Sequence, residues 1–161
     1  MPKTEIIADL RAARAQFLRA IEGLSEAQMY QAGAVGYWSV KDVLAHLVSW
    51  EAELVTALAR LENYRERPPH IVEIDDIDGW NAEQYHLNAP RPLESVMADF
   101  HNVHKQLIQT VEGLDNRTLD DNRLFAWMEG EPLSYLIAEN ATWHEEEHAE
   151  DILRWRAEQG L

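Results

Sequence analysis

The sequence contains no cysteine, which excludes disulfides, thiolate metal ligands and a cysteine nucleophile. Basic residues are also scarce, because 14 lysines and arginines stand against 29 acidic residues and the formal net charge is −15. Such an anionic surface is repelled by phosphate backbones and by anionic membrane surfaces, so we expect no nucleic-acid partner. No apolar run approaches the ~20 residues that a membrane-spanning helix needs. These absences predict a soluble cytoplasmic protein without a membrane partner.

The spacing of the hydrophobic residues along the sequence is helical. A chain of 161 residues that is 46% hydrophobic is long enough to bury one core, so we expect a single domain over residues 1–161. Strand patterns are absent. Four long stretches carry apolar residues at helical spacing, at about 4–22, 40–61, 92–112 and 132–158.

The second helix has the best-defined start. Ser39 is a candidate N-cap, and Asp42 stands three residues later, where it can complete a variant of the capping box. Trp38 and Val43 occupy the two positions of a hydrophobic staple. This start fixes the helical phase of the residues that follow.

A long connection separates the second and third helices. It covers about residues 64–91, far more than the 2–8 residues typical between neighbouring antiparallel helices. A segment of this length can cross the whole bundle, so the two helices it joins could run parallel. The sequence therefore predicts an all-α four-helix bundle with a long crossover between helices 2 and 3. Residues 77–81 of this crossover are aromatic and polar enough to cover one end of a pocket.

The fourth helix carries two histidines, His144 and His148, one turn apart. Residues four apart on a helix have Cβ atoms about 5–6 Å apart, close enough to share a metal ion. Helical phase places both on the core-facing stripe and displaces Glu145 and Glu147 to its two sides. Asp151 and Asn140 lie one turn away and could orient the imidazoles.

His46 on the second helix is the third candidate ligand. Three imidazoles at about 2.0–2.1 Å from Zn²⁺, with water in the fourth position, form a catalytic type of site. The ion would lower the pKa of its water toward ~7 or act as a Lewis acid. Two alternatives remain open: His46 could be an ordinary histidine at the core edge, and His104 on the third helix could replace or supplement it.

The segment from His144 to His148 also matches the H-E-x-x-H signature of zinc peptidases, with Glu145 as the general base. Those enzymes take a third ligand further along the chain, but no histidine follows His148. The chain also lacks the sheet that lines a peptidase cleft. We therefore reject the peptidase interpretation.

The segment 36–51, Gly-Tyr-Trp-Ser-Val-Lys-Asp-Val-Leu-Ala-His-Leu-Val-Ser-Trp-Glu, resembles the second-helix signature of the DinB/YfiT-like four-helix bundles. The spacing of His46 to His144 and His148 resembles the three-histidine metal site of that superfamily. Residues 38–42, 77–81 and 140–144 are similar to the ClbS/DfsB-like group within it. A histidine at position 148 instead resembles the pattern of the metal-binding members of the superfamily.

This resemblance implies a bundle that is often a homodimer, with a divalent metal, zinc or nickel, in a cleft at the bundle end. It implies a metal-dependent hydrolase or an S-transferase that uses a low-molecular-weight thiol, in either case acting on an electrophilic small-molecule substrate. The alternative is a ClbS-like detoxifying hydrolase or small-molecule binding protein that needs no metal. A third hypothesis is a helical interaction module without a small-molecule site.

Overall fold

Helices account for all the regular structure of the chain, and the computed structural model describes residues 1–161. The α-helices are α1 (Lys3–Ile21), α2 (Glu26–Tyr30), α3 (Val40–Ala59), α4 (His70–Glu73), α5 (Ile77–Asn88), α6 (Leu93–Glu112), α7 (Asn116–Asp120), α8 (Leu133–Ile137) and α9 (Trp143–Gln159). Short 3₁₀ turns lie at Leu61–Tyr64 and Ala126–Met128, and a π-helical turn at Ala138–Thr142 joins α8 to α9. The prediction of an all-α fold is confirmed. No helix is both long and apolar enough to cross a bilayer.

The start of α3 follows the predicted capping box. The Asp42 backbone N–H donates to Ser39 Oγ over 3.1 Å, and Asp42 Oδ2 accepts from the Ser39 backbone N–H over 2.9 Å. Val43 is fully buried directly below this cap. Since the cap fixes where the helix begins, it also fixes the direction in which His46 leaves α3 in the second turn.

Two apolar clusters form the core, and α1, α3, α6 and the α8–α9 segment each contribute to both. The first core cluster includes Ile6, Ile7, Leu10, Leu54, Leu58, Leu107, Ile108, Val111, Leu133, Leu136 and Ile137. The second core cluster includes Phe17, Ala20, Val40, Val43, Leu44, Leu47, Val96, Phe100, Ala149, Ile152 and Trp155. Along the chain, α1 and the α8–α9 segment pass from the first cluster to the second, whereas α3 and α6 pass from the second to the first. Helices α3 and α6 therefore run parallel, as the long crossover allows.

The crossover between α3 and α6 is folded rather than extended. It contains α4 and α5, and α5 begins at Asp76, whose Oδ1 accepts from the Gly79 backbone N–H over 2.9 Å. Lys41 Nζ donates to the carbonyls of Asn88 and Ala89 over 3.2 and 2.9 Å, so the far end of α5 is attached to the start of α3. These contacts hold α5 along α3, beside His46.

A layer of polar side chains separates the two core clusters. On α1 Arg14 lies between Leu10 and Phe17, and on α6 His104 lies between Phe100 and Leu107. We call this set the polar layer; its members are Arg14, His46, Glu51, His104, His144, Glu145 and His148. Because these residues lie where one cluster gives way to the other, the histidine site lies about halfway along the bundle. The resemblance had implied a position at the bundle end.

Candidate functional site

The structure brings His46, His144 and His148 together. Nε2 of His46 lies 2.8 Å from Nε2 of His144, and one ring nitrogen of each histidine lies within 4.8 Å of the other two. The ring centroids are 4.7 to 5.1 Å apart. Imidazole nitrogens that share a tetrahedral Zn²⁺ lie roughly 3.4 Å apart, so small rotations of these rings suffice to form a three-nitrogen donor set.

Neighbouring groups orient two of these rings. Nδ1 of His148 lies 3.2 Å from Asp151 Oδ2, the contact expected from their spacing on α9. His144 makes its hydrogen bond to the backbone of Asn140, whereas the Asn140 side chain donates to the Leu136 carbonyl over 2.9 Å. Asp151 thus acts through its side chain and Asn140 through its main chain. A histidine whose Nδ1–H donates to such a group keeps Nε2 free for a ligand.

The burial of Glu145 differs from the expectation. Helical phase placed it at the side of the core-facing stripe, but it is completely buried, while His144 is only partly buried. The cause is the π-helical turn at Ala138–Thr142, which accommodates one extra residue and rotates the residues after it. Glu145 therefore enters the polar layer, and His144 turns toward the side of the bundle where His46 lies.

Burial keeps two of the three imidazoles neutral. The pKa of His46 is lowered to about 2, mainly by burial and also by the charges of His144 and His148. Burial also lowers the pKa of His144 to about 4, with a smaller contribution from His148 and an opposing one from the Asn140 backbone. Neutral imidazole is the form that binds metal ions, so these rings retain ligating ability in mildly acidic solution.

These shifts predict how the stability of metal-free protein depends on pH. The folded-state pKa of His144 lies below the ~6.5 of an unfolded histidine, so protonation favours unfolding. The contribution of His144 is complete above about pH 6.5 and decreases as the pH falls toward 4; a shift from 6.5 to about 4 corresponds to about 3 kcal/mol. Urea unfolding of chelator-treated protein between pH 7.5 and 4.5 measures this contribution to the free energy of unfolding. His144→Gln should flatten the profile, and identical profiles for the variant and wild type would contradict the assignment.

A cleft of about 710 Å³ opens beside the three histidines. Its walls include Trp50, Trp127 and Tyr135, together with Ile77 and Asn81 of α5. Trp50 is fixed by a hydrogen bond from Nε1 to Asn81 Oδ1 over 2.9 Å. Four glutamates line the cleft, Glu129, Glu131, Glu139 and Glu147, and no lysine or arginine does. Ile77 and Asn81, the two ends of segment 77–81, thus lie in the cleft wall, and the three histidines line the same cleft.

A buried ionic cluster lies on the other side of the histidines. Arg14 Nε donates to Glu145 Oε1 over 2.6 Å, and Arg14 Nη2 lies 3.5 Å from Glu51 Oε2. The guanidinium also packs 3.5 Å from the centre of the Phe100 ring and donates to the Phe100 carbonyl over 2.8 Å. Burial and repulsion from Glu145 raise the pKa of Glu51 well above its usual range, and burial raises the pKa of Glu145 although Arg14 opposes it.

Sequence reasoning did not identify this cluster. The available signal was Arg14 itself, a charged residue at helical spacing from Leu10 and Phe17 in an otherwise apolar stripe. A charge at such a position requires a buried partner, but the sequence does not indicate which of the 29 acidic residues provides it.

His104 lies with the ionic cluster, apart from the three-histidine group. One ligand atom each of Glu51, His104 and Glu145 lies within 4.8 Å of the other two. Burial lowers the pKa of His104 to about 4, and the positive charge of Arg14 lowers it in the same direction. Its Nδ1 is buried without a hydrogen-bond partner. His104 therefore belongs to a second group and is not a substitute for His46.

Known structures share this fold over nearly the full length of the chain. DfsB, described as a sibling lethal factor precursor, matches with a TM-score of 0.83 at 17% identity, over 99% of this chain and 97% of its own. The colibactin self-resistance protein ClbS, solved in complex with a dsDNA, matches with a TM-score of 0.78 at 12% identity, over 95% and 94%. An uncharacterised protein from Escherichia coli UTI89 matches with a TM-score of 0.81 at 11% identity, over 99% and 95%.

Sequence comparison adds the family. No curated protein matches the sequence. The sequence model of the DinB superfamily matches residues 9–152, a range that includes all three histidines and the whole polar layer. The chain therefore belongs to the DinB superfamily.

Proposed function

We propose that this protein is a metal-dependent enzyme in which His46, His144 and His148 hold a divalent ion, zinc or nickel, and that its substrate is an electrophilic small molecule. The observation that supports this most is the meeting of three ring nitrogens within 4.8 Å beside a cleft of about 710 Å³. A site with three protein ligands and an accessible fourth position is the arrangement of catalytic rather than structural zinc.

The donor set fits such an ion. Nε2 of His46 and Nε2 of His144 lie 2.8 Å apart, where a neutral tautomer of one ring donates its N–H to the other or both lone pairs face a shared cation. Burial disfavours the charged imidazolium, so both rings keep the neutral form that can bind a metal ion. Asp151 would hold the Nδ1–H of His148 and thereby fix the tautomer that offers Nε2 to the ion.

The residues around the ion would position the substrate. A bound Zn²⁺ or Ni²⁺ supplies Lewis acidity and favours ionisation of a coordinated nucleophile. Trp50, Trp127 and Tyr135 would hold the apolar part of the substrate, and Glu139 or Glu147 on the cleft wall would accept a proton. The chain has no thiol of its own, so transfer of sulfur requires a low-molecular-weight thiol from solution.

The test uses untagged protein, because an affinity tag of histidines would itself bind metal. We expect one or more equivalents of metal per chain by elemental analysis. We also expect hydrolysis of p-nitrophenyl acetate, or thiol transfer to 1-chloro-2,4-dinitrobenzene, to disappear on chelation and return with Zn²⁺ or Ni²⁺. Protein that binds neither ion after incubation and dialysis would refute the proposal.

The fold shared with ClbS supports a second candidate, protection against a reactive metabolite without a metal. In that case ligand-dependent thermal stabilisation survives chelation and survives loss of any one histidine. The ClbS complex with dsDNA also bears against the expectation that charge alone excludes nucleic acid. Fluorescence anisotropy with a labelled duplex at low salt tests whether the partner is DNA rather than a small molecule. Binding through phosphate contacts should weaken steeply as the salt concentration rises.

A further inference from the structure

Three side chains in the polar layer each carry an atom without a hydrogen-bond partner. These atoms are Glu51 Oε1 on α3, His104 Nδ1 on α6 and Glu145 Oε2 on α9, and all three are buried. One ligand atom from each residue lies within 4.8 Å of the other two. Buried polar atoms without partners are rare in folded proteins, and three in one place indicate a missing binding partner.

Arg14 does not supply that partner. Its Nε and Nη2 approach the other carboxylate oxygens, Glu145 Oε1 at 2.6 Å and Glu51 Oε2 at 3.5 Å, and its Nη1 donates to the Phe100 carbonyl. Both carboxylates are completely buried, so one guanidinium balances only one of their two charges. A proton shared by the carboxyls would balance the second but would leave His104 Nδ1 unpaired. A divalent cation can bind one ligand atom of all three residues together, because these atoms lie within 4.8 Å of one another.

We propose that Glu51, His104 and Glu145 form a second, enclosed site for a divalent transition-metal ion. Two carboxylate oxygens and one imidazole nitrogen suit Zn²⁺, Mn²⁺ or Fe²⁺. Helix bundles commonly build metal sites in this way, from glutamate and histidine side chains on facing helices. The hydrogen bond from Arg14 to Glu145 would orient a ligating carboxylate, as outer groups do in metal sites.

This second site differs from the three-histidine site in access and in role. None of its three residues lines the cleft, so no substrate reaches it. An ion bound there links α3, α6 and α9 across the middle of the bundle and stabilises the folded state by mass action. The site contributes to structure rather than to turnover.

The experiment counts ions per chain by native mass spectrometry in five untagged proteins, after metal removal and reloading with Zn²⁺ or Mn²⁺. We expect two equivalents in wild type, one in His104→Ala, one in His148→Ala and none in the double variant. His101→Ala, an exposed neighbour of His104 on α6, is the matched control and keeps both. Should His104→Ala fail to fold, His104→Gln removes the ligating nitrogen while preserving volume and polarity.

The outcomes separate this site from the proposed enzyme. A wild type with one equivalent that is lost in His148→Ala and kept in His104→Ala refutes the second site and leaves the proposed function standing. A wild type with one equivalent that is lost in His104→Ala and kept in His148→Ala supports the second site and refutes the metal enzyme. Added metal should raise the Tm of His148→Ala but not of the double variant, and equal shifts would also overturn the second site.

Discussion

At the proposed three-histidine site, we expect replacement of His148 with alanine to lower the affinity for Zn²⁺ by at least about 100-fold, since losing a ligand costs more than the 10–100-fold typical of an outer-shell change. The remaining pair, His46 and His144, can still approach an ion but leaves two positions to water. Asp151→Asn should have the smaller effect, because it keeps the ligand and weakens only the group that orients His148.

Competition with a chromophoric chelator measures both affinities. His86→Ala is the control, since His86 is exposed on α5 and lies outside both metal-ligand groups. If His148→Ala retained the affinity of His86→Ala, the ion would not be bound by this group of histidines, and the catalytic proposal would lose its basis.

Replacing Arg14 with methionine destabilises the metal-free protein by about 3–5 kcal/mol, the range seen when one partner of a buried ion pair is removed. Glu51 and Glu145 are completely buried and would then face each other without a cation. Neutralising them as well, in Arg14→Met with Glu51→Gln and Glu145→Gln, should recover most of the loss, because the penalty comes from uncompensated charge.

Urea unfolding at pH 7.5 in the presence of chelator gives these free energies. Arg11→Met is the matched control one turn earlier on α1. Arg11 is exposed and its contact with Glu112 is 3.9 Å long, so the change should stay within about 0.5 kcal/mol. Equal losses for the two arginines would contradict the prediction, since they would show that the buried ion pairs of Arg14 add no more stability than the exposed contact of Arg11.

Local signals account for what the sequence predicted correctly. The capping box at Ser39 sets the phase of α3, and the spacing of apolar residues sets its buried face, so the position of His46 at the edge of that face follows from residues within two turns of it. The spacing of the two histidines by one turn on α9 also follows from the sequence, although the π-helical turn before them changes the direction of His144. Their meeting with His46 depends on how the helices pack, which spacing along one helix does not determine.

What the sequence did not predict depends on tertiary structure. No residue preference marks the π-helical turn at Ala138–Thr142; packing of the segments on either side decides it, and with it the burial of Glu145. Helix α5 is similar, because its apolar pattern is weak and its place is set by Lys41, Trp50 and their partners. Arg14 pairs with Glu51 and Glu145 on two other helices, and these glutamates lie 37 and 131 positions away from it in the sequence.

The π-helical turn gives one-residue changes in length an unusual effect on this protein. Deleting a single residue there would restore ordinary α-helical bonding and leave α9 in its present orientation, because the turn holds one residue more than an α-helix needs. Straightening the turn with all its residues retained would instead rotate α9 by roughly 100° about its axis, and His144 and His148 would leave their places beside His46. The direction of the imidazoles therefore depends on the match between the number of residues in this segment and the kind of helical turn that holds them.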